Sequence, residues 1–361
     1  MNKKNTSFSK KFPSFGGVRG SLLGVCFLAF GFGAVANDTI RFTWQAGTSE
    51  KDFDIIATSG EQFVVSWGNG MDNVYTGIGG FIYPSHTYSA AGSYTVTVVA
   101  TTANGRFTHL DCSDNRLSSL DVSKSTALAF LYCYNNSLSS LDVSKNTALI
   151  SSHCYNNQLS ILDVSNCTAL GSLDCSDNQL SSLDVSKNTV LTMLLCYNNR
   201  LPLSDLYVAS QKVSNINMKR LGTQTLLPQT VPIGQVLFSE QSTFNGIYTD
   251  YVVTKNGNPA PTSDYTINNG TITFHNLGNY TITMTNSAIT SHTYYPAKVI
   301  AEINVSDVGI VVANDYSPLP RVFPNPTTNQ LQFTNYELRE NTVIEIYDIV
   351  GCNRVRARWT I

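Results

Sequence analysis

Leucine and cysteine recur with a constant period through the middle of the chain. Five cysteines lie 21 residues apart, each followed three residues later by Asn and two residues after that by Leu. The columns are Cys112, Cys133, Cys154, Cys175 and Cys196; Asn115, Asn136, Asn157, Asn178 and Asn199; and Leu117, Leu138, Leu159, Leu180 and Leu201. A further leucine opens the motif Leu183-Asp184-Val185-Ser186 and its counterparts. This periodicity predicts a solenoid of stacked coils.

One 21-residue coil cannot bury its own leucines, but stacked coils share a continuous core in which each buried Leu contributes roughly 1.5 to 3 kcal/mol. The Asn column suits a coil corner, where side-chain amides bond to backbone groups and link neighbouring coils. The spacing L-x-x-L-x-C-x-x-N-x-L resembles the leucine-rich-repeat family, in a short bacterial form with L-D-V-S on the convex side. The resemblance covers about Arg106 to Ser210, and Ser152 interrupts the first leucine column.

Before the repeats, apolar and polar residues alternate with period two, which predicts strands. Phe63, Val65 and Trp67 share one face, as do Tyr94, Val96, Val98 and Ala100. Asn69-Gly70 between these two runs predicts a hairpin turn, so the segment should be a small β-sandwich. Its W-G-N-G turn and its H-T-Y...G-S-Y-T-V strands resemble the PKD-like immunoglobulin-type domain, usually a spacer or adhesion module. We expect His86 to pack or to cap a turn.

After the repeats, Leu201-Pro202-Leu203 breaks the period and predicts a cap over the end of the solenoid. Strand patterns then return from about Leu221 to Val305. Expected strands are Thr271 to Phe274, Tyr280 to Met284 and Val299 to Val305, with turns at Asn256-Gly257 and Asn269-Gly270. This pattern predicts a second immunoglobulin-like sandwich.

The first 36 residues have the features of a secretory signal. Five basic residues precede an apolar run from Ser21 that ends in Ala34-Val35-Ala36, so cleavage is expected before Asn37. The run has about 16 residues, below the roughly 20 that span a bilayer. We therefore expect an exported chain with no membrane span in its mature part.

The segment Val322-Phe323-Pro324-Asn325-Pro326, with the strand pattern at Val343 to Ile346, resembles the C-terminal sorting domain of the type IX (Por) secretion system. That family continues through further strands, whereas Cys352 to Ile361 carries no strand pattern that matches it. The resemblance implies attachment at the cell surface. A truncated sorting domain would instead imply retention in the periplasm.

These patterns together predict a mainly β protein, a short leucine-rich-repeat solenoid flanked by immunoglobulin-like β-sandwich domains. The expected organisation is a signal peptide at 1–36, a PKD-like sandwich at 37–105, five 21-residue coils at 106–210, a second sandwich at 211–310 and a partial sorting domain at 311–361.

The cysteine column of an exported protein raises the question of disulfides. Neighbouring coils would hold these residues in register on parallel strands about 4.8 Å apart, with side chains parallel. A disulfide needs Cβ atoms that converge to about 3.8 Å. Reduced, buried thiols are the favoured interpretation.

Charge and motifs narrow the function classes. Charged residues are 13% of the chain and the net charge is −2, which offers no basic face for nucleic acid. No nucleophile-elbow, zinc-protease or phosphate-loop motif is present, and the five histidines are scattered. We expect no enzyme activity, no cofactor and no bound metal. His153 beside Asp174 offers two metal ligands, which are too few for a site.

Strand neighbours of the inward Leu and Cys should point to the concave side, because side chains alternate along a strand. The candidate binding residues there are Phe130, Tyr132, Tyr134, His153, Tyr155, Asp174 and Tyr197. Exposed aromatic groups recur at recognition sites. Alternatively, Tyr and Asp merely alternate between two duplicated repeat subtypes, C-Y-N-N and C-S-D-N. Five strands would offer a ligand roughly 24 Å.

The predicted function is that of an exported, non-enzymatic binding or adhesion protein that recognises a protein or glycan at the cell surface. Two alternatives remain open at this point. The chain could be a structural spacer, or a non-catalytic accessory protein of a polysaccharide-degrading system.

Overall fold

The computed structural model describes residues 37–306 and the backbone of four short strands between 322 and 358. The predicted signal peptide and most of the predicted sorting domain lie outside the described residues. The described part is mainly β, as predicted, with one α-helix among these residues.

The N-terminal module is built from strands whose alternate residues are buried. Its strands are β1 (Thr39–Ala46), β2 (Glu50–Asp52), β3 (Asp54–Ala57), β4 (Gln62–Ser66), β5 (Asp72–Thr76), β6 (Phe81–Ile82), β7 (Ser85–Thr87) and β8 (Gly92–Ala100). β1, β8, β4 and β5 are neighbours in one antiparallel sheet, and β3 pairs with β6 in another. Phe63, Val65 and Trp67 are buried on one face, as their period-two spacing predicts.

The predicted hairpin turn joins β4 to β5. Gly68 and Gly70 adopt φ of +81° and +84°, and the Asn69 side chain accepts the backbone N–H of Met71 at 3.2 Å. The Asn69 amide also lies 2.9 Å from His86 Nε2, and the His86 ring stacks on Trp67 with centroids 5.1 Å apart. His86 therefore packs against the turn, as expected.

The solenoid contributes one short strand per coil. These strands are β9 (Phe107–Asp111), β11 (Phe130–Tyr132), β12 (Ser151–His153), β13 (Ser172–Asp174) and β14 (Met193–Leu195), while β10 (Leu117–Asp121) leaves the first coil to pair with β1. β9, β11, β12, β13 and β14 are parallel neighbours in register. The parallel sheet is consistent with the leucine-rich-repeat resemblance.

The Asn column holds adjacent coils together through its carboxamides. Asn157 donates from Nδ2 to the carbonyls of Cys133 and Cys154 at 3.0 and 3.1 Å, and its Oδ1 accepts the backbone N–H of Leu138 at 2.9 Å. Asn178 repeats the pattern one coil later. The predicted role of the column is confirmed.

The Leu-Asp-Val-Ser motif forms a turn on the opposite side of each coil. The carboxylates of Asp142, Asp163 and Asp184 accept the backbone N–H of the residue two positions later at 2.9, 2.9 and 2.7 Å. The hydroxyl and the backbone N–H of the serine at that position stabilise the charged form and lower the pKa of each carboxyl. The turns therefore stay formed at neutral pH.

All six cysteines in the described residues are buried and reduced, which confirms the prediction of free thiols. Five form the predicted column, and burial raises the pKa of each well above the ordinary thiol value. The sixth, Cys167, lies on the convex side, and burial raises its pKa to about 11. Buried, protonated thiols are unreactive.

The end of the solenoid is closed by α1 (Leu203–Lys212), which confirms the predicted cap. Leu203, Leu206 and Ala209 are buried on its inner face. β15 (Lys219–Arg220) then pairs in parallel with β14. The Lys219 ammonium is buried and donates to Ser210 O and Thr290 Oγ1 at 2.6 and 2.8 Å.

The module after the cap has two main sheets. Its strands are β16 (Thr223–Thr225), β17 (Gln229–Val231), β18 (Val236–Leu237), β19 (Thr243–Phe244), β20 (Ile247–Tyr248), β21 (Asp250–Lys255), β22 (Asn258–Pro259), β23 (Tyr265–Asn268), β24 (Thr271–Phe274), β25 (Gly278–Thr285) and β26 (Lys298–Val305). One sheet has the order β16-β26-β25-β21-β22 and the other β18-β24-β23. The three strands predicted there are confirmed, and the turn residues Asn256 and Asn269 adopt positive φ.

Four strands are described beyond residue 306. β27 (Val322–Asn325) pairs with β28 (Gln330–Phe333), and β29 (Val343–Tyr347) pairs with β30 (Arg354–Arg358), both antiparallel. β30 lies within Cys352 to Ile361, where the sequence carries no strand pattern that matches the sorting domain. Its Arg-Val-Arg-Ala-Arg sequence has the period-two alternation that a paired strand needs.

Candidate functional site

The predicted binding residues lie on the solvent side of the parallel sheet, here called the concave face. In β11, β13 and β14 the middle residue is buried and its two neighbours are partly exposed. The buried residues are the inward leucines Leu131, Leu173 and Leu194. The residues predicted to face outward therefore do so in these strands.

The sheet that carries this face is longer than the repeats. Its order is β15-β14-β13-β12-β11-β9-β3-β6, so β3 and β6 of the N-terminal module extend it at one end and β15 at the other. The five expected repeat strands are present, but three flanking strands extend the sheet to eight, and seven intervals of about 4.8 Å span about 34 Å. β3 pairs antiparallel with β9 and thereby covers the open edge of the first coil.

Strand register arranges the concave face in rows. The first row is Phe81, Ile56, His109, Phe130, Ser151, Ser172 and Met193, and the second is Asp54, Asp111, Tyr132, His153, Asp174, Leu195 and Arg220. A third row follows the strand ends and contains Ser113, Tyr134, Tyr155, Ser176 and Tyr197. Backbone bonds such as Asn135 N to Tyr155 O at 3.0 Å keep the third row in register.

Two stacked pairs occupy the middle of the face. The rings of Tyr134 and Tyr155 have centroids 4.5 Å apart and an interplanar angle of 4°. Tyr132 and His153 stack at 4.7 Å and 27°. Both separations match the spacing of adjacent parallel strands, so the coil repeat itself sets the stacking. Stacking holds both rings of each pair in place, which lowers the side-chain entropy lost when a ligand binds.

The aromatic surface continues into the N-terminal module. The Phe81 ring contacts the His109 ring edge-on at 4.8 Å, and His109 lies 5.8 Å from Phe130. Phe81 is 46% exposed. Sequence analysis missed Phe81, because it belongs to a short strand outside the repeat and has no periodic signal.

His153 lies at the centre of the second row. Its Nε2 is 3.5 Å from Ser151 Oγ and 3.3 Å from Ser172 Oγ. Burial lowers the pKa of His153, and the carboxylates of Asp174 and Asp111 partly oppose this. The ring is therefore neutral at pH 7, and within residues 37–306 no carboxylate bonds to it. This geometry lacks the oriented base of a catalytic triad.

Asp174 is held by its own strand end. Its Oδ1 accepts both the hydroxyl and the backbone N–H of Ser176, at 2.6 and 3.1 Å. Burial raises the pKa of Asp174, and the bonds from Ser176 partly offset that rise. Among the described residues, no group of three His, Cys, Asp or Glu side chains is arranged to hold a metal ion.

Tyr197 stands apart from the other predicted residues. Ser176, which is buried, separates it from Tyr155 in the third row. The Tyr197 ring instead lies 4.9 Å from Tyr295 of the C-terminal module, with an interplanar angle of 35°. Thus five predicted residues cluster over β11 and β12, Asp174 adjoins them on β13, and Tyr197 belongs to the far end.

In the part of the chain that the structure describes, no helix is both long and apolar enough to cross a membrane. No protein-family model matches this chain, and no curated protein matches it.

Two solved structures from Listeria monocytogenes are similar to about half of this chain. The functional domain of InlJ, described as including a cysteine ladder, is 24% identical with a TM-score of 0.30, over 55% of this chain and 53% of that one. An internalin-like protein is 15% identical with a TM-score of 0.25, over 51% of this chain and 52% of that one. The chain therefore spans about half the length of each.

Proposed function

We propose that this protein is an exported, non-enzymatic binding or adhesion protein that uses the concave face to recognise a protein or glycan at the cell surface. The observation that carries the proposal is the pair of aromatic stacks, Tyr134 with Tyr155 and Tyr132 with His153, on adjacent strands of the concave face. Export to the surface is inferred from the signal pattern in the first 36 residues.

Composition of the face supports recognition over a merely structural role. A spacer needs only an inert polar exterior, whereas this surface places Phe81, His109 and Phe130 in contact beside the two stacks. Large aromatic groups at the centre of a surface are where binding energy concentrates. Duplication of the two repeat subtypes does not account for Phe81, which lies outside the repeats.

A ligand of this face would be extended. Eight strands give about 34 Å along the sheet, enough for a peptide segment or a chain of several sugar rings. Aromatic rings lie toward β6, acidic groups at Asp54, Asp111 and Asp174 lie along the second row, and a cation at Arg220 lies on the last strand. Such an asymmetric pattern fixes the direction in which a ligand lies.

The test begins with glycan and protein arrays probed with the full chain. For a partner found there, Tyr132→Ala combined with Tyr155→Ala should weaken binding at least tenfold, because truncation of an anchoring aromatic often costs about 2 kcal/mol. The double variant loses one stack on each row, which lowers the free energy of unfolding by about 0.5 to 1.5 kcal/mol per stack.

Two control variants separate binding from stability. Tyr248→Ala removes a 53% exposed tyrosine from the C-terminal module, and Lys145→Ala changes an exposed convex residue. Both should bind as the parent does in isothermal titration calorimetry. If the double variant also binds as tightly as the parent, the concave face is not the binding surface, and the flanking modules become the candidates.

A further inference from the structure

A cleft of about 430 Å³ lies where the last coil meets the C-terminal module. Its lining residues are Tyr197, Asn198, Gly222, Thr223, Tyr294, Tyr295, Pro296 and Lys298. The volume is in the range of small-ligand sites. The cleft adjoins the end of the concave face but takes most of its residues from outside the repeats.

The loop that carries the cleft tyrosines is fixed by hydrogen bonds. Ser291 Oγ accepts the backbone N–H of Leu221 at 3.0 Å and donates to Tyr295 O at 2.6 Å. Gly222 N also donates to Tyr295 O, at 3.2 Å, and Tyr295 N donates to His292 O at 2.8 Å. The tyrosines are thus held in place before any ligand arrives, which reduces the entropy lost on binding.

Gly222 allows the floor of the cleft to approach Tyr197. Its φ is +60°, and a Cβ at this position would lie 2.3 Å from the Tyr197 Cβ. Any other residue would therefore push the Tyr197 ring away from Tyr295. The close approach keeps the two rings 4.9 Å apart as one wall of the cleft.

The cleft combines aromatic rings with cations. Tyr294 is 87% exposed, and the Arg220 guanidinium lies over the Tyr295 ring at 5.1 Å. Within residues 37–306, neither Arg220 nor Lys298 forms a salt bridge. The carboxylate of Asp177 nearby already accepts the Asn198 amide at 2.7 Å. The Asn198 amide is neutral, so Asp177 keeps its negative charge, and the two cations Arg220 and Lys298 leave this end of the surface with an excess of positive charge.

Backbone groups at the cleft are already paired. Asn198 N donates to Thr223 O at 2.8 Å, and Lys298 N donates to Gly222 O at 3.2 Å. Thr223 and Lys298 are partners in the parallel pairing of β16 with β26. An extended peptide binds a sheet by pairing with an unoccupied strand edge, and this cleft offers none.

We infer that this cleft binds a sugar ring that bears a carboxylate. A sugar ring has one face of C–H groups suited to tyrosine and hydroxyls around its edge suited to Asn198 and Thr223. Its carboxylate would be bound by Lys298 and Arg220. The inference rests on the proposed function, since it names the ligand class at one end of the same binding surface.

Titration calorimetry of the full chain with trigalacturonate tests the inference, with the neutral α-1,4-linked galactose trimer as the matched ligand. Trigalacturonate should bind about tenfold or more tightly than the neutral trimer, and added salt should reduce this difference. Lys298→Gln should abolish the preference for the acidic sugar. Tyr294→Ala should weaken both ligands at least tenfold, and its exposure means that folding is unaffected.

Tyr248→Ala and Lys187→Gln are the matched controls, because both residues are exposed and lie outside the cleft. Neither should change the affinity, and Tyr132→Ala with Tyr155→Ala should leave trigalacturonate binding intact. Loss of binding only in that last variant would place the sugar at the middle of the concave face and overturn the assignment to the cleft.

Sialyllactose is a second carboxylated probe and tests another source of the same chemistry. The inference is also overturned if neither acidic probe binds, or if Lys298→Gln and Tyr294→Ala bind the probes as tightly as the parent does. Either result leaves the proposed function standing.

Discussion

Two polar columns run along the solenoid with the same 21-residue period, and they differ in how completely they are bonded. The strand column is Asn115, Asn136, Asn157, Asn178 and Asn199, and the convex column is Ser125, Asn146, Cys167 and Asn188. In the strand column both ends of the carboxamide of Asn157 are bonded. In the convex column Asn146 donates two bonds, but its buried Oδ1 has no partner among the described residues.

The difference follows from what each column meets. The strand column lies where the backbone turns out of the strand, and the N–H of Leu138 has Asn157 Oδ1 as its acceptor. The convex column faces short turns whose N–H groups are bonded within the turn, as Ser125 N is to Val122 O at 2.9 Å. The same residue type at the same period thus stabilises the coil to different extents.

The strand column also reaches beyond the repeats at both ends. Asn115 donates to Asp52 O of the N-terminal module at 2.9 Å. At the other end Gln224 of β16 takes the place of the next Asn. Its Oε1 accepts Asn199 N at 3.1 Å, and its Nε2 donates to Cys196 O at 3.0 Å. The strand column therefore joins the solenoid to both modules. The convex column also reaches the N-terminal module, where Ser125 Oγ donates to Thr39 O at 3.2 Å.

The largest predicted effect is the loss of a strand-column amide. Asn157→Ala leaves the buried N–H of Leu138 without its acceptor and removes one bond from each of two carbonyls. We expect a loss of about 3 kcal/mol in the free energy of unfolding. Urea denaturation followed by circular dichroism measures it.

Asn146→Ala is the matched control in the convex column. Both Asn residues are buried, and both variants lose the same side-chain atoms. The carbonyls of Val122 and Ser125 keep their turn bonds, and an oxygen without a partner is removed. The expected loss is about 1 kcal/mol. Equal losses for the two variants would show that the loss in unfolding free energy comes from the cavity and not from the amide hydrogen bonds.

The features of the solenoid that could be predicted from the sequence are those that repeat with a fixed period. The inward leucines, the cysteine column and the strand column repeat every 21 residues, so their burial and bonding follow from the pattern. Gln224 could not be identified, because it is one methylene longer than Asn, lies 25 residues after Asn199 and belongs to another module. The convex column has the same period, but the period does not show that the amide oxygens of Asn146 and Asn188 lack partners among the described residues.

The candidate site divides in the same way. The stacks of Tyr132 with His153 and Tyr134 with Tyr155 follow from the repeat, because adjacent coils place identical positions one strand apart. Phe81 and Tyr295 are brought to the face by long-range pairing of other modules, and a single sequence contains no local signal for that pairing. Sequence therefore predicts the middle of the face and not its ends.

A second prediction concerns the cysteine column that packs beside the strand column. Cys154 has no exposed surface, so Cys154→Ser buries a hydroxyl where the parent holds a thiol. We expect this change to lower the free energy of unfolding by about 2 kcal/mol. Denaturant titration measures the change. In the parent, a thiol reagent should modify the column cysteines only after unfolding, because burial raises the pKa of Cys154 and keeps it protonated. A disulfide between any two of the six described cysteines, found by mass spectrometry of unreduced peptides, would contradict the reduced column.

The smallest predicted effect repairs the convex column. The Cys167 Sγ lies 3.6 Å from the carbonyl oxygens of Val143 and Asn146 in the preceding coil. In the coils on either side, Asn146 and Asn188 donate amide hydrogen bonds to the equivalent carbonyls. Cys167→Asn replaces two weak thiol contacts with two amide bonds, but it also buries a carboxamide oxygen that the column does not satisfy. We expect these terms to leave a net stabilisation below about 1 kcal/mol. Asn146→Cys is the reverse change and should destabilise by a similar amount, so both variants are compared with the parent by differential scanning calorimetry. A lower midpoint for Cys167→Asn would mean that the unbonded oxygen outweighs the two new bonds, and the convex amides would then be tolerated for their shape and not for their hydrogen bonds.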